Sequence, residues 1–126
     1  MEYLCSEERV GGTPACPGKV TGPARVVTHL SQASSIRPGD ILVTHSTDIG
    51  WSPYFPILAG VVTELGGLIS HGAVVAREYG LPCLVGAQGA TLIFKDGDTL
   101  CLDALKGEVV KIEAPDLQDA ESVTID

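Results

Sequence analysis

One histidine, His71, follows two glycines and a serine closely enough for all four residues to share one small site. The stretch reads GGLISHGAVVAREYGLP from Gly66 to Pro82. A histidine in this setting suits four roles: a phosphoryl acceptor, a general base, a metal ligand, or a packing residue without chemistry. Each role requires different partners elsewhere in the chain.

The segment after Ser70 carries the start and stop signals of a short helix. Ser70 is a favoured N-cap type, Gly80 suits the position just past the last turn, and Pro82 cannot continue a helix. These signals predict a helix from His71 to Tyr79. His71 then lies in the first turn, where backbone N–H groups lack partners within the helix and the helix dipole is positive.

This first turn predicts an anion-binding site beside a neutral histidine. The free N–H groups and the dipole stabilise a dianion near His71 and disfavour a charged imidazolium. A neutral imidazole is a competent nucleophile. Gly66 and Gly67 leave their amides unobstructed, and Gly72 keeps the start of the helix clear of side chains. This arrangement suits an anion held by Gly66, Gly67, Ser70 and Gly72 beside a phosphoryl-accepting His71, although a lone histidine at a helix start is more often an ordinary surface or capping residue.

Two polar residues near His71 have a structural interpretation as well as a functional one. Ser70 either binds phosphate or only caps the helix, and we favour the cap. Arg77 either touches phosphate or a docked domain, or complements the helix dipole from the last turn. It follows His71 by six positions, about 240° around the helix, so the two side chains do not share a face.

Other chemistries at His71 lack the residues they need. A hydrolytic pair of Ser70 and His71 lacks both a G-x-S-x-G turn and a nearby orienting acid. The three histidines, His29, His45 and His71, form no i, i+4 pair, and no C-x-x-C motif is present, so no metal site is predicted. The glycine spacing also matches neither a phosphate-binding loop nor a dinucleotide fingerprint.

Composition narrows the class of protein. A chain of 126 residues that is 44% hydrophobic suits one domain with a real core. A net charge of −8 without a basic stripe argues against nucleic acid and anionic membrane surfaces as partners. The four cysteines form no C-x-x-C pair, no secretory signal is evident, and no apolar run reaches membrane-spanning length. We expect a cytoplasmic domain with free, buried thiols.

Short apolar stretches between glycine and proline turns predict a mixed α/β domain rich in strands. Gly22-Pro23 is expected to separate two strands, and Ser52 with Pro53 to start a short helix that ends near Ala59. Thr47, Asp48 and Trp51 lie in a loop that could border the site. Trp51 either makes a docking contact or is buried against the short helix, and we favour burial. The predicted strands are Lys19–Thr21, Ala24–His29, Ile41–His45, Gly60–Glu64, a strand within LPCLVG, and a hairpin of Thr99–Asp103 and Glu108–Glu113 turning at Lys106-Gly107.

The chain divides into three stretches by composition. Residues 1–10 are polar and weakly patterned, and we interpret them as a lead-in. Residues 11–113 are expected to form the domain. Residues 114–126 are acidic and poor in apolar side chains, which is typical of a flexible tail.

The stretch TELGGLISHGAVVAREYGLPCLVG resembles the signature of the phosphohistidine, or swivelling, domain of phosphoenolpyruvate-utilising enzymes. That pattern has two glycines, a variable pair, Ser or Thr, the phosphorylated His, Ala-Arg and a later Pro. The similarity extends over roughly residues 11–113, although Cys16 stands where a serine is common. With TDIGWSPYF upstream, the chain most resembles the phosphoenolpyruvate-synthase and rifampicin-phosphotransferase branch. The matching residues are Gly66, Gly67, Ser70, His71, Ala76, Arg77 and Pro82.

The resemblance implies a compact β/β/α swivelling domain with short helices and a C-terminal β-hairpin. It implies that His71 accepts a phosphoryl group from ATP on an ATP-grasp partner domain and passes it to an acceptor such as pyruvate on another domain. ATP and Mg²⁺ would belong to the partner, and no cofactor is expected in this chain. The isolated domain is therefore not expected to turn over ATP alone.

Two alternatives stay open at the level of sequence. The first is a non-catalytic interaction domain that keeps the same fold and does not use His71. The second is an independent hydrolase that uses Ser70 and His71. The presence of His71 argues against the first, and the missing third residue argues against the second.

Overall fold

A computed structural model describes residues 5–112 of the chain, with side chains described from Glu8 onward except at Ile49. Helix α1 spans His71–Tyr79, helix α2 spans Ala90–Ile93, and two 3₁₀ helices span Leu30–Ser35 and Ile49–Ile57. The strands in this range are β1 (Cys5–Gly11), β2 (Thr13–Cys16), β3 (Lys19–Val26), β4 (Ile41–Thr44), β5 (Gly60–Thr63), β6 (Cys83–Val85), β7 (Thr99–Asp103) and β8 (Glu108–Ile112).

The strands of residues 5–112 form one continuous sheet in the order β1-β8-β7-β3-β4-β5-β6-β2. Its centre, from β3 through β4 and β5 to β6, is parallel, and the flanking pairs are antiparallel. Strands β4, β5 and β6 are buried at every position, as expected for parallel strands covered on both faces.

The core lies on both faces of the parallel strands and gives the molecule three layers. Leu42 and Val61 point into a cluster with α1 and the second 3₁₀ helix. Val43 and Val62 point the other way, into a cluster that includes Leu100 and Leu102 of β7 and Val109 of β8. The antiparallel strands therefore curl over one face while α1 covers the other. This arrangement is the predicted β/β/α layering.

The lead-in predicted for residues 1–10 is wrong where the structure describes it. Residues 5–11 form β1, which pairs antiparallel with β8. The charged side chains misled the sequence interpretation, because an edge strand with one exposed face need not look apolar. Val10 is nevertheless buried in the core. The predicted tail, residues 114–126, lies outside the described residues, as does Glu113.

The predicted break at Gly22-Pro23 is also wrong, because β3 runs unbroken from Lys19 to Val26. Its first half pairs antiparallel with β7 up to Pro23, and its second half pairs parallel with β4 from Ala24 onward. Pro23 thus lies where β3 changes partners. A proline is tolerated there because the position does not require the ladder hydrogen bond that it cannot donate.

The strand predicted to end at His29 ends at Val26, because the chain turns there towards the first 3₁₀ helix, whose N-cap is His29. The other local predictions agree closely with the structure. The predicted strands Ile41–His45 and Gly60–Glu64 correspond to β4 and β5, and the strand predicted within LPCLVG is β6. The predicted C-terminal hairpin is formed by β7 and β8. Strand β2, helix α2 and the first 3₁₀ helix were not predicted. Within residues 5–112, no helix is long and apolar enough to cross a membrane.

The thiols described by the structure are free, as predicted. Cys16 and Cys83 are buried and lie opposite each other on β2 and β6, while Cys101 is half-buried. Burial, reinforced by the neighbouring Cys16, raises the pKa of Cys83 to about 12, although Arg77 opposes the shift. The Cys83 thiol is therefore protonated at neutral pH and serves as a packing group.

Two adjacent glycines at the junction of β1 and β2 test how closely the chain packs against β6. A Cβ added at Gly12 would lie 2.6 Å from the carbonyl oxygen of Val85, whereas one at Gly11 would meet nothing closer than 3.7 Å. We expect Gly12→Ala to lower the free energy of unfolding by about 1–3 kcal/mol, because the backbone must shift. Urea denaturation measures this loss. Gly11→Ala is the matched control, and an equal loss in both variants would contradict the packing described here.

Candidate active site

Helix α1 has the predicted bounds, so His71 is its first residue. Ser70 is extended, with φ −70° and ψ 163°, and Gly80 ends the helix in the left-handed region at φ 68°. Within residues 5–112, no hydrogen bond occupies the backbone N–H groups of His71 or Gly72. The start of the helix therefore offers donors to an anion, as predicted.

The glycine turn before α1 is braced by Ser70. Ser70 occupies the predicted N-cap position, but its Oγ makes no cap bond to the helix and instead donates to the carbonyl oxygen of Gly67 at 2.7 Å. Gly66 adopts φ 107°, and a Cβ there would approach the Ser70 side chain to 3.1 Å. The turn thus requires glycine at position 66. The Ser70 hydroxyl is directed to this turn, which also argues against a hydrolytic pair with His71.

The surface above Gly67 is open. A Cβ at Gly67 would meet no atom within 4 Å. The imidazole of His71 is half-buried beside this opening. The glycine turn therefore leaves the start of α1 open on this side, and the predicted anion binding there stays a prediction.

Two hydroxyl groups lie against the His71 ring, one at each nitrogen. The Oγ1 of Thr47 is 3.1 Å from Nδ1, and the Oγ of Ser52 is 3.4 Å from Nε2. Phe55 packs edge-on against the ring, with centroids 6.1 Å apart and planes at 89°. The ring is therefore oriented by three side chains from a single neighbouring segment. We name Thr47, Ser52 and Phe55 the ring clamp.

This segment begins earlier than predicted. The 3₁₀ helix starts at Ile49 because the Oδ1 of Asp48 accepts from the amide of Gly50 at 3.0 Å. Ser52 is thus an interior residue of the helix and not its cap. Trp51 is 4% exposed, which agrees with the burial expected for it and fixes the segment against the core. Sequence reasoning identified the loop but missed Ser52, whose hydroxyl was assigned to capping.

Gly72 is needed for the approach of Thr47. A Cβ at Gly72 would lie 2.7 Å from the Oγ1 of Thr47. The absence of a side chain at position 72 therefore lets the threonine hydroxyl reach Nδ1 of His71. The sequence predicted that Gly72 leaves space for phosphate. In the structure Gly72 also leaves space for Thr47 of the ring clamp.

Arg77 does not lie beside the His71 ring. Its Nε donates to the carbonyl oxygen of Ala15 at 3.0 Å, and its Nη2 donates to the carbonyl oxygen of Leu68. It also lies in the last turn of α1, where a cation complements the helix dipole. The guanidinium thus joins β2 to the loop that leads to His71, and its predicted phosphate contact stays a prediction.

A second histidine makes different contacts. His45 Nδ1 pairs with the Oε1 of Glu64, whose Oε2 accepts from the amide and the hydroxyl of Thr91, each at 2.7 Å. Burial tends to raise the pKa of Glu64, but the Thr91 hydrogen bonds and His45 outweigh it and hold that pKa below its ordinary value. The third histidine, His29, is exposed. Among residues 5–112, no group of three potential ligands could hold a metal ion.

The family of the chain follows from comparison with known protein families. The family model described as "PEP-utilising enzyme, mobile domain" matches residues 36–107. The chain belongs to this family. The matched range contains the ring clamp, the glycine turn and α1, and the predicted family is confirmed.

Relatives of the mobile domain agree with the predicted branch. This chain is 47% identical over 102 residues to rifampicin phosphotransferase of Bacillus cereus, and the match covers 81% of this chain and 12% of that protein. It is 45% identical over 102 residues to the prodigiosin synthesizing transferase PigC of Serratia marcescens, covering 80% of this chain and 12% of that protein. The chain thus spans about an eighth of the length of these curated relatives.

Solved structures share the fold of the mobile domain. Aconitase X of Thermococcus kodakaraensis superimposes with a TM-score of 0.64 at 18% identity, over 83% of this chain and 98% of that one. This likeness concerns the fold alone. The solution structure of Enzyme I superimposes with a TM-score of 0.57 at 26% identity, over 72% of this chain and 38% of that one. The predicted α/β class is confirmed.

The contact of Thr47 with the His71 ring predicts a measurable tautomer preference. Thr47→Val removes the hydroxyl at Nδ1, and Gly72→Ala pushes it away, so both variants should shift the tautomer ratio in the same direction. A lost hydrogen bond of about 1 kcal/mol changes that ratio about fivefold. Imidazole ¹⁵N NMR measures it. Thr91→Val, which removes a hydroxyl elsewhere, is the control, and an unchanged Thr47→Val spectrum would contradict the assignment.

A conservative substitution separates the two structural roles of Arg77. Arg77→Lys keeps the charge at the helix end but cannot bond both carbonyls, so we expect a loss of about 1–2 kcal/mol in unfolding free energy. Amide hydrogen exchange of residues 66–70 should also accelerate. If Arg77→Lys matches the wild type while Arg77→Met does not, the charge alone matters and the bracing role is wrong.

Proposed function

We propose that this mobile domain carries a phosphoryl group on His71 between a nucleotide-bearing donor domain and a separate acceptor site. One observation carries the proposal: the His71 ring is held by hydroxyl groups at the first turn of α1, beside free backbone donors and an open glycine turn. A ring fixed in this way is positioned for in-line transfer. A histidine kept only for packing would not require this arrangement.

The transfer uses Nε2 of His71 as the nucleophile. Nδ1 has the shorter contact, 3.1 Å to Thr47, whereas Nε2 is 3.4 Å from Ser52. The Thr47 hydroxyl can either accept from a protonated Nδ1 or donate to a bare one. The proposed tautomer has its proton on Nδ1, which leaves the Nε2 lone pair available. The weaker contact from Ser52 can yield to an incoming phosphorus atom.

The reaction balances as two displacements. In the first, the Nε2 lone pair attacks a phosphorus atom of ATP, an N–P bond forms, and the P–O bond to the departing nucleotide fragment breaks. The proton stays on Nδ1, where the Oγ1 of Thr47 accepts it in a hydrogen bond. In the second, an acceptor hydroxyl attacks phosphorus, an O–P bond forms, the N–P bond breaks, and the hydroxyl proton passes to solvent. The imidazole leaves as the neutral ring with its proton still on Nδ1, so the histidine is regenerated.

The site supplies charge stabilisation mainly from the backbone. The free N–H groups of His71 and Gly72 and the dipole of α1 favour the added phosphoryl dianion. Gly66, Gly67 and Ser70 shape the turn that gives the anion access. Arg77 holds this turn through Leu68 and is not required to touch the phosphate.

The partners belong to the proposal as well. An ATP-grasp domain would bind ATP and Mg²⁺, and a further domain would bind the acceptor. The relatives are far longer than this chain, which leaves room in them for such domains. Their names favour an organic acceptor of the rifampicin type over pyruvate. A cytoplasmic location accords with a need for ATP and stays a prediction.

Phosphoramidate, a small phosphoryl donor, tests the carrier role on this chain directly. We expect acid-labile, alkali-stable phosphate on His71, at least about tenfold faster than on His29 or His45, because only His71 is positioned for in-line attack. Mass spectrometry of the three histidine peptides measures the rates. Phosphorus-coupled ¹⁵N NMR identifies the modified nitrogen, which should be Nε2.

The controls separate a folded site from general histidine reactivity. His71→Ala should remove the fast label, His45→Ala should leave it unchanged, and urea should equalise the three sites. Equal labelling of all three histidines in the folded chain would contradict the proposed carrier role and favour a non-catalytic interaction domain.

A further inference from the structure

The hydroxyl of Ser52 keeps hydrogen-bonding capacity beside the ring nitrogen proposed to react. Its Oγ lies 3.4 Å from Nε2 of His71, close to the upper limit for a hydrogen bond. Among residues 5–112, this is the only hydrogen-bonding contact of that hydroxyl. The other two hydroxyls of the site are engaged at shorter distances, Thr47 at Nδ1 and Ser70 on the carbonyl of Gly67. Ser52 is therefore the hydroxyl that can still take a new partner.

The backbone that carries Ser52 is held in place by its neighbours. Trp51 is 4% exposed and Phe55, nearly one turn later, is fully buried. The side chain of Asp48 opens this 3₁₀ helix by accepting from the amide of Gly50. Ser52 itself is half-buried, and a hydroxyl hydrogen rotates to suit its acceptor. Its O–H can therefore change partner without any movement of the backbone.

A phosphoryl group on Nε2 would bring new acceptors to this hydroxyl. The phosphoryl oxygens would be two bonds from Nε2, and the Ser52 Oγ is already 3.4 Å from that nitrogen. An atom attacking in line stands about 3–3.5 Å from phosphorus on the side away from the leaving nitrogen. Ser52 lies beside the nitrogen instead, so it cannot take the phosphoryl group itself. It can donate to one of the oxygens around phosphorus, over which the transition-state charge is spread.

We propose that Ser52 is a further catalytic residue, whose hydroxyl moves its hydrogen bond from Nε2 to a phosphoryl oxygen as the N–P bond forms. This inference rests on the proposed function. In the resting ring, with its proton on Nδ1, the Ser52 O–H donates to the Nε2 lone pair. When that lone pair attacks phosphorus, the acceptor is lost and the same O–H turns to a phosphoryl oxygen. Ser52 keeps its proton throughout. A donor already in place for the developing charge lowers the barrier.

Removal of the hydroxyl tests this role through the sign of the effect. Ser52→Ala should slow the labelling of His71 by phosphoramidate about tenfold, as expected for loss of a hydrogen bond to a charged group. Ser52→Thr keeps a hydroxyl and should retain most of the rate. Should Ser52→Ala fail to fold, Ser52→Val against the isosteric Ser52→Thr makes the same comparison. Faster labelling without the hydroxyl would mean that Ser52 only masks the Nε2 lone pair, which overturns the proposal.

Phosphorus NMR of the labelled chain gives a readout that a merely structural role would not move. A donor on a phosphoryl oxygen favours the doubly charged form of the group. The pH midpoint of the phosphorus signal should therefore rise by about half a unit in Ser52→Ala. The matched control is Ser35→Ala, which removes a hydroxyl bonded to the carbonyl of Gln32 in the other 3₁₀ helix. It should change neither the rate nor the midpoint.

The outcomes separate this inference from the proposed function. Fast labelling of wild-type His71, with the same rate and midpoint in Ser52→Ala, overturns the role of Ser52 alone. A slower rate with an unchanged midpoint means that Ser52 only holds the ring, which also overturns the phosphoryl contact. If wild-type His71 is labelled no faster than His29 and His45, the proposed function itself fails.

Discussion

The contact between Thr47 and Nδ1 of His71 is the interaction on which the arrangement of the site depends. It joins the first residue of α1 to a loop 24 positions earlier in the chain. Gly72 must lack a side chain for the hydroxyl to reach the ring, and Asp48 must start the 3₁₀ helix directly after Thr47. Burial of Trp51 then fixes the segment that carries the ring clamp. Each of these features is a condition for that one contact.

The parallel strands bring the two partners of this contact together. The ring clamp follows the carboxyl end of β4, and the glycine turn follows the carboxyl end of β5. Adjacent parallel strands deliver such loops to the same edge of a sheet, which is where open α/β folds bind their ligands. Because every residue of β4 and β5 is buried, this edge is anchored in the core of the molecule. Two short loops can then fix an imidazole without a long helix to support them.

Sequence predicted the parts of this structure that rest on local signals. The bounds of α1 followed from Ser70 and Gly80, and the C-terminal hairpin followed from its turn residues, because caps and turns act over a few positions. The rest depends on contacts between distant residues. Strand β1 exists because β8 offers it an edge, and Ser52 matters because the fold brings it to His71. Likewise, no sequence pattern predicts that Arg77 binds the carbonyl oxygens of Ala15 and Leu68.

The contacts of Arg77 have a consequence for transfer. A cation bound to a phosphohistidine would stabilise the carrier state, and ground-state stabilisation slows the next displacement. Among residues 5–112, no basic side chain is seen to contact the His71 ring, and the guanidinium of Arg77 is directed to the carbonyls of Ala15 and Leu68. Backbone amides and a helix dipole give weaker, partial charges. In the proposed carrier role, a site built from these would hold a phosphoryl group in place while leaving it easy to remove, which is the property that an intermediate carrier requires.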